Sequence, residues 1–108
     1  MKTQIAITRD DGILSIGAWN GLDDYCLWQI EEDDQKQSYF EYNDQLNSGY
    51  NIIKECSLMS DGMHLVLTSG DQLHFYFNNL SRSNYRDFLE AIENIFTEYP
   101  DVLDVIDK

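Results

Sequence analysis

Apolar side chains recur at every second position in several short runs before residue 78 and at helical spacing after residue 81, a change of period that predicts strands followed by one helix. Residues 4–8 alternate as a short strand, and Asp10-Asp11-Gly12 reads as a turn. Ile13 to Trp19 is the next strand. Asn20-Gly21, the dipeptide that best tolerates two positive φ values, is expected to close a tight hairpin onto a third strand over residues 24–30. That loop sets Ile16 against Tyr25 and Leu14 against Leu27. Ile13, Trp19, Trp28 and Ile30 then fall on the other side, so the hairpin is apolar on both faces.

Aromatic residues at positions 39, 40 and 42 favour a pleated backbone, whereas Asn43, Asp44, Asn47, Ser48 and Gly49 favour turns; an acidic strand is therefore expected to run into a polar loop. Residues 52–59 form a further strand, closed at Asp61-Gly62 onto residues 63–68, which pairs Leu58 with Leu65 and Cys56 with Leu67. Ile53 falls out of alternation relative to Cys56, predicting a bulge near Lys54 and Glu55. For the next hairpin, a two-residue loop at Gly70-Asp71 would set Leu67 against His74. A three-residue loop at Ser69-Gly70-Asp71 instead sets Leu67 against Leu73 and Leu65 against Phe75. The second choice gathers Met63, Leu65, Leu67, Leu73, Phe75 and Phe77 on one inner face and leaves His64 and His74 outside with Thr68, Gln72 and Tyr76.

Tyr85, Phe88, Leu89, Ile92, Ile95, Phe96 and Tyr99 form one helical stripe opposite Asp87, Glu90, Glu93 and Asn94. Ser81 is the expected N-cap, and Pro100 is expected to stop the helix close to Glu98. Beyond it, apolar residues at 102, 103, 105 and 106 fit either a short helix or an edge strand. The predicted architecture is α+β: a single domain over residues 1–108 with an antiparallel twisted sheet of about six or seven strands, and one long helix near the C-terminus packed on one face.

Charge changes this picture more than any other property. Twenty Asp and Glu against seven Lys and Arg give a formal net charge of -13. Such a chain repels phosphate backbones and anionic lipid, so direct nucleic-acid or membrane binding is not expected and a basic partner is. Eight of the acids lie between residues 23 and 44: Asp23, Asp24, Glu31, Glu32, Asp33, Asp34, Glu41 and Asp44. The run Glu31 to Asp34 repels itself and is expected in an exposed loop or bulge, either as a solvated connector or, with the other four, as a negative surface for a cationic partner.

Candidate chemistry is sparse. Cys26 and Cys56 lie in no Cys-x-x-Cys or Cys/His cluster, which points to two reduced core residues and away from a disulfide framework or a metal site. His64 and His74 have no nucleophile and carboxylate converging with them in sequence, and no phosphate loop, nucleophile elbow or His-Glu-x-x-His is present. No enzyme activity and no cofactor are expected. Residues 1–9 carry no continuous apolar signal-like run, so a cytoplasmic location is expected.

The order Tyr39-x-Glu41-x-Asn43-Asp44-Gln45, then Gly49-Tyr50, then a Cys-x-Leu strand at Cys56-Ser57-Leu58 with its hairpin, and last an amphipathic helix ending Ile95-Phe96, resembles immunity protein family ten of bacterial polymorphic toxin and contact-dependent inhibition systems. The resemblance spans residues 12 to 97; Asn51-Ile52, the short loop 69–71 and residues 98–108 depart from it. It implies a protein that binds and neutralises a cognate toxin by stoichiometric occlusion. A nuclease, with its cationic cleft, suits an acidic inhibitor. Carried over position by position, it marks Tyr39, Glu41, Asn43, Asp44, Gln45, Gly49 and Tyr50, of which Asn43, Gln45 and Gly49 are expected to preserve a turn. The partner-binding set is then Asp23, Asp24, Glu31, Glu32, Asp33, Asp34, Tyr39, Glu41, Asp44 and Tyr50, with Trp19 and Trp28 as further aromatic anchors if they reach the surface. Two other readings use the same residues: an acidic nucleic-acid mimic that inhibits a host or phage nuclease, and a non-enzymatic adaptor module.

Overall fold

A computed structural model describes residues 2–106, with the side chain of Gln35 left aside. Its described part is α+β, with nine strands and one α-helix. Five strands, β1 (Gln4–Asp10), β2 (Ile13–Gly21), β3 (Asp24–Glu31), β4 (Asp34–Tyr42) and β5 (Asp44–Tyr50), form an antiparallel meander in chain order. A second sheet runs β8 (Gln72–Tyr76), β7 (Gly62–Leu67), β6 (Ile53–Met59) and β9 (Leu103–Val105), the last parallel to β6. The expected single sheet of six or seven strands is thus two sheets. The break falls at Asn51, whose φ of 54° turns the chain out of β5. Its side chain then ties the crossing down: Oδ1 accepts from the Ser38 amide at 2.9 Å and Nδ2 donates to the Lys36 carbonyl at 3.0 Å.

Register follows burial. The β1–β2 hairpin turns on Asp11 and Gly12, both at positive φ as a tight hairpin loop requires. The β2–β3 loop is not Asn20-Gly21. It closes at Leu22-Asp23, with a bulge between Trp19 and Gly21, and pairs Leu14 with Ile30, Ile16 with Trp28 and Ala18 with Cys26. Moving the register by an odd number of residues swaps faces, and here it turns Trp28 and Ile30 inward beside Leu14 and Ile16, all buried. Asn20 is used elsewhere: it accepts from the Thr3 hydroxyl and donates to the Tyr76 carbonyl at 2.7 Å, and the Asn78 amide donates to Thr3 Oγ1 at 2.6 Å. These bonds join the two sheets through the buried Thr3.

In the second sheet the predicted faces hold and the strand pairings shift by two residues. Leu58 pairs with Met63 and Cys56 with Leu65 across a Ser60-Asp61 turn, and Leu65 pairs with Leu73 and Met63 with Phe75. A shift of two preserves parity, so Met63, Leu65, Leu67, Phe75 and Phe77 are buried and Leu73 half-buried, while His64 and His74 stack on the outer face with ring centroids 4.5 Å apart. The bulge expected at Lys54 lies between Ile53 and Glu55.

Helix α1 spans Arg82–Ile95, and Ser81 caps it by accepting from the Asn84 amide at 3.2 Å. It ends about three residues before the expected stop, and Pro100 opens a separate 3-10 turn over Pro100–Val102 instead. The tail therefore supplies both a short helical turn and an edge strand. Tyr85, Phe88, Ile92, Ile95 and Phe96 are buried and Leu89 is half-buried, whereas Tyr99, expected on the same stripe, lies beyond the end of the helix and is exposed. The Phe88 ring meets Trp28 at 5.8 Å and Phe77 at 5.6 Å, which brings side chains of both sheets and the helix into one core. Trp28, fully buried, is no surface anchor. No helix among the described residues is long and apolar enough to cross a membrane.

Candidate functional site

With its inner face spent on the core, the five-stranded sheet keeps an outer face that no other element among the described residues covers. Alternation places Ile13 and Trp19 of β2, Tyr25 and Leu27 of β3, Tyr39 and Glu41 of β4, and Ser48 and Tyr50 of β5 on it. Tyr50 is 64% exposed, and at the β2–β3 tip Leu22 is 90% exposed. Ile13 and Trp19 on the same face are also more than a third exposed.

Glu41 behaves unlike the other acids. It lies on this outer face yet is only 8% exposed, because Tyr25 and Tyr39 close over it. The Tyr25 hydroxyl donates to Glu41 Oε2 and the Tyr39 hydroxyl donates to Oε1 at 2.6 Å, so each carboxylate oxygen holds a phenol. The acceptor stabilises the protonated phenols: the Glu41 hydrogen bond pushes Tyr25 up to about 12, with desolvation assisting, and raises Tyr39 in the same direction. Tyr50 completes the group edge-on to Tyr39, ring centroids 5.6 Å apart. Tyr39 at i−2 was legible as a same-face neighbour. Tyr25 was not, since its arrival depends on the β3–β4 register that sets Leu27 opposite Glu41.

The remaining predicted acids do not form one surface. Glu31, Glu32, Asp33 and Asp34 surround the β3–β4 turn and are exposed, as expected for a self-repelling run. The β1–β2 turn lies beside them, the Glu32 amide donating to the Gly12 carbonyl at 2.7 Å, which adds Asp10 and Asp11 to that end. Asp23, Asp24 and Asp44 sit at the opposite end, where the Tyr25 amide donates to Asn43 Oδ1 at 3.0 Å. Seven steps of β3 at roughly 3.3 Å each separate the two ends by about 23 Å. That exceeds the ~8 Å screening length at physiological salt more than twofold, so the two ends are separate negative poles with an aromatic band between them. Among the described residues the one ion pair is Arg9–Glu32 at 3.9 Å, exposed on both sides and worth little.

The supposed polar loop 43–49 is strand β5, and only its first residues turn. Asn43 holds φ 60° and bonds Tyr25 through both its amide and its side chain, and Asp44 Oδ1 accepts from the Leu46 amide at 2.9 Å. Gly49 is required by space: a Cβ there would lie 2.8 Å from Ile52 Cγ2. Asn43 and Gly49 are thus structural. Gln45 contributes its carbonyl, which accepts from the Ser48 hydroxyl at 2.8 Å.

Two grooves of about 240 Å³ mark the face. One, between Ile13, Gln29, Glu31, Asp34, Tyr39 and Tyr50, adjoins the acidic β3–β4 turn. The other, between Trp19, Leu22, Tyr25 and Leu27, has no carboxylate in its walls. Sequence reasoning missed Ile13, Gln29 and Leu22 as surface candidates, and the β2–β3 register that places them cannot be read from local pattern. Burial drives both thiols upward, Cys56 to about 12 and Cys26 beyond the ordinary range, which disfavours the thiolate at both positions. No group of three or more His, Cys, Asp or Glu is placed to hold a metal among the described residues. No family model, curated protein or solved structure matches the chain.

Proposed function

We propose that this protein is an immunity protein that binds a cognate bacterial toxin, a nuclease with a cationic cleft, and blocks it stoichiometrically without turnover. The observation that carries the reading is the uncovered aromatic face of the five-stranded sheet lying between two acidic poles in a chain of net charge -13. Tyrosine and tryptophan supply contact area at small entropic cost, and carboxylates at the rim stand where phosphates would approach a nuclease. The resemblance of residues 39–50 to the immunity family adds to this from the side of sequence. In another nuclease–inhibitor pair, close charge pairs couple by roughly 1.5 to 7 kcal/mol, enough for a few contacts to dominate affinity. The nucleic-acid-mimic reading would need carboxylates in two rows along a face, whereas these gather at strand ends.

If the gene immediately upstream encodes a toxin domain, mixing the protein with that domain tests the proposal. A 1:1 complex that abolishes toxin activity and weakens with salt is the expected result. Charge reversal of residues 31–34 is expected to slow association by about tenfold or more at low ionic strength. An association rate indifferent to both salt and charge reversal would overturn the cleft-plug mechanism, and turnover of any substrate would overturn the inhibitor reading.

A further inference from the structure

We propose that the groove beside the β3–β4 turn is a receptor for a single arginine side chain projecting from the partner. The inference deepens the inhibitor reading and rests on it for the partner, while the groove's own preference is testable without that partner.

The groove exists because β4 departs from its ladder: Ile30 pairs with Ser38 but Glu31 with Asp34, so residues 35–37 are extra and bow away from β3. Glu31 and Asp34 line it together with Ile13, Gln29 and the rings of Tyr39 and Tyr50, which meet edge-on at 5.6 Å. At about 240 Å³ it falls below the ~300–1,000 Å³ usual for small-molecule sites and suits one side chain. Two carboxylates exclude a phosphate or carboxylate ligand. A guanidinium satisfies every wall at once: its plane stacks on tyrosine, its fork engages a carboxylate in bidentate fashion, and its methylene stem covers Ile13. A lysine ammonium is strongly hydrated and has no plane to stack, so it gains only the charge. The occupant is therefore a basic protein surface presenting arginine, in keeping with the charge of this face.

The test is a titration of the full ¹⁵N-labelled chain with N-acetyl-arginine methylamide and, separately, its lysine counterpart, followed by amide chemical shifts. Expected are saturable shifts at Ile13, Gln29 and Tyr50, with arginine binding about fivefold or more tighter than lysine. Tyr50→Ala and Asp34→Asn, both at exposed positions, should each weaken arginine severalfold, while Trp19→Ser should not. Equal response to the two amino acids, or shifts that follow every exposed acid including Glu90 and Glu93 on the helix, would overturn the receptor. With the upstream-encoded toxin domain, full affinity for Tyr50→Ala and Asp34→Asn would show that the partner does not use the groove while leaving the inhibitor reading intact. Absence of any complex with the wild-type chain would instead overturn the inhibitor reading, and the arginine titration would decide the groove alone.

Discussion

Replacing Glu41 with Gln isolates the tyrosine-capped carboxylate. The substitution keeps the side chain's size and one carbonyl acceptor but removes the charge and turns the second oxygen into a donor facing a phenol. In the native protein two phenols donate to the carboxylate, one to each oxygen. Charge-assisted bonds contribute about 1.5–3 kcal/mol each and neutral ones about 0.5–1.5, so losing the difference twice costs about 2–3 kcal/mol. Relief of the buried carboxylate's desolvation offsets part of that, leaving a net loss of roughly 1–2 kcal/mol. At about 4 °C per kcal/mol for a chain of this size, the melting temperature should fall by roughly 4–8 °C. Calorimetry checks this, and specific ¹³Cζ-tyrosine labelling checks the cause. The Glu41 hydrogen bond pushes Tyr25 up to about 12, and in Glu41→Gln the Tyr25 pKa should drop towards 10. The sign of the pH dependence follows. Between pH 10 and 12 the folded chain keeps a proton on Tyr25 that the unfolded chain has lost, so stability falls as pH rises through that window, and the fall should shrink in the variant. A Glu41→Gln protein as stable as wild type, or more so, would mean that desolvation outweighs the two bonds and would refute this account of why the acid is buried.

Two further outcomes test the fold. Gly62 sits where β7 meets β8, and a Cβ there would come within 2.5 Å of the Phe75 carbonyl oxygen; Gly62→Ala should therefore destabilise by about 1–3 kcal/mol in urea unfolding, and a neutral result would contradict the β7–β8 register. Cys26 and Cys56 are both buried with raised thiol pKa values, so neither should react with a soluble thiol reagent under native conditions faster than the chain opens; rapid labelling of either would place it outside the core.

The candidate face was only partly legible. Tyr39, Glu41 and Tyr50 were marked by their order in the chain, and the exposure of the 31–34 run followed from like-charge repulsion alone. That Glu41 is covered, that the eight acids separate into two poles, and that Ile13 and Gln29 line a groove all depend on pairings across β2, β3 and β4.

Local sequence by itself determined which residues share a face wherever parity was set by short range. The Met63 to Phe77 inner face, the outward histidines, the bulge at Lys54 and the helical stripe as far as Phe96 all follow from a period of two or of 3.6, the Ser81 cap follows from the serine just before that stripe, and a register error of two residues leaves the faces unchanged. Tertiary structure alone decided the odd-numbered register shift made by the bulge between Trp19 and Gly21, the split into two sheets at Asn51, and the return of Leu103–Val105 to pair with β6. The β2–β3 hairpin is apolar on both sides, so its sequence does not say which side faces inward. Only the presence of Phe88 and Phe40 around Trp28 makes one choice the better buried.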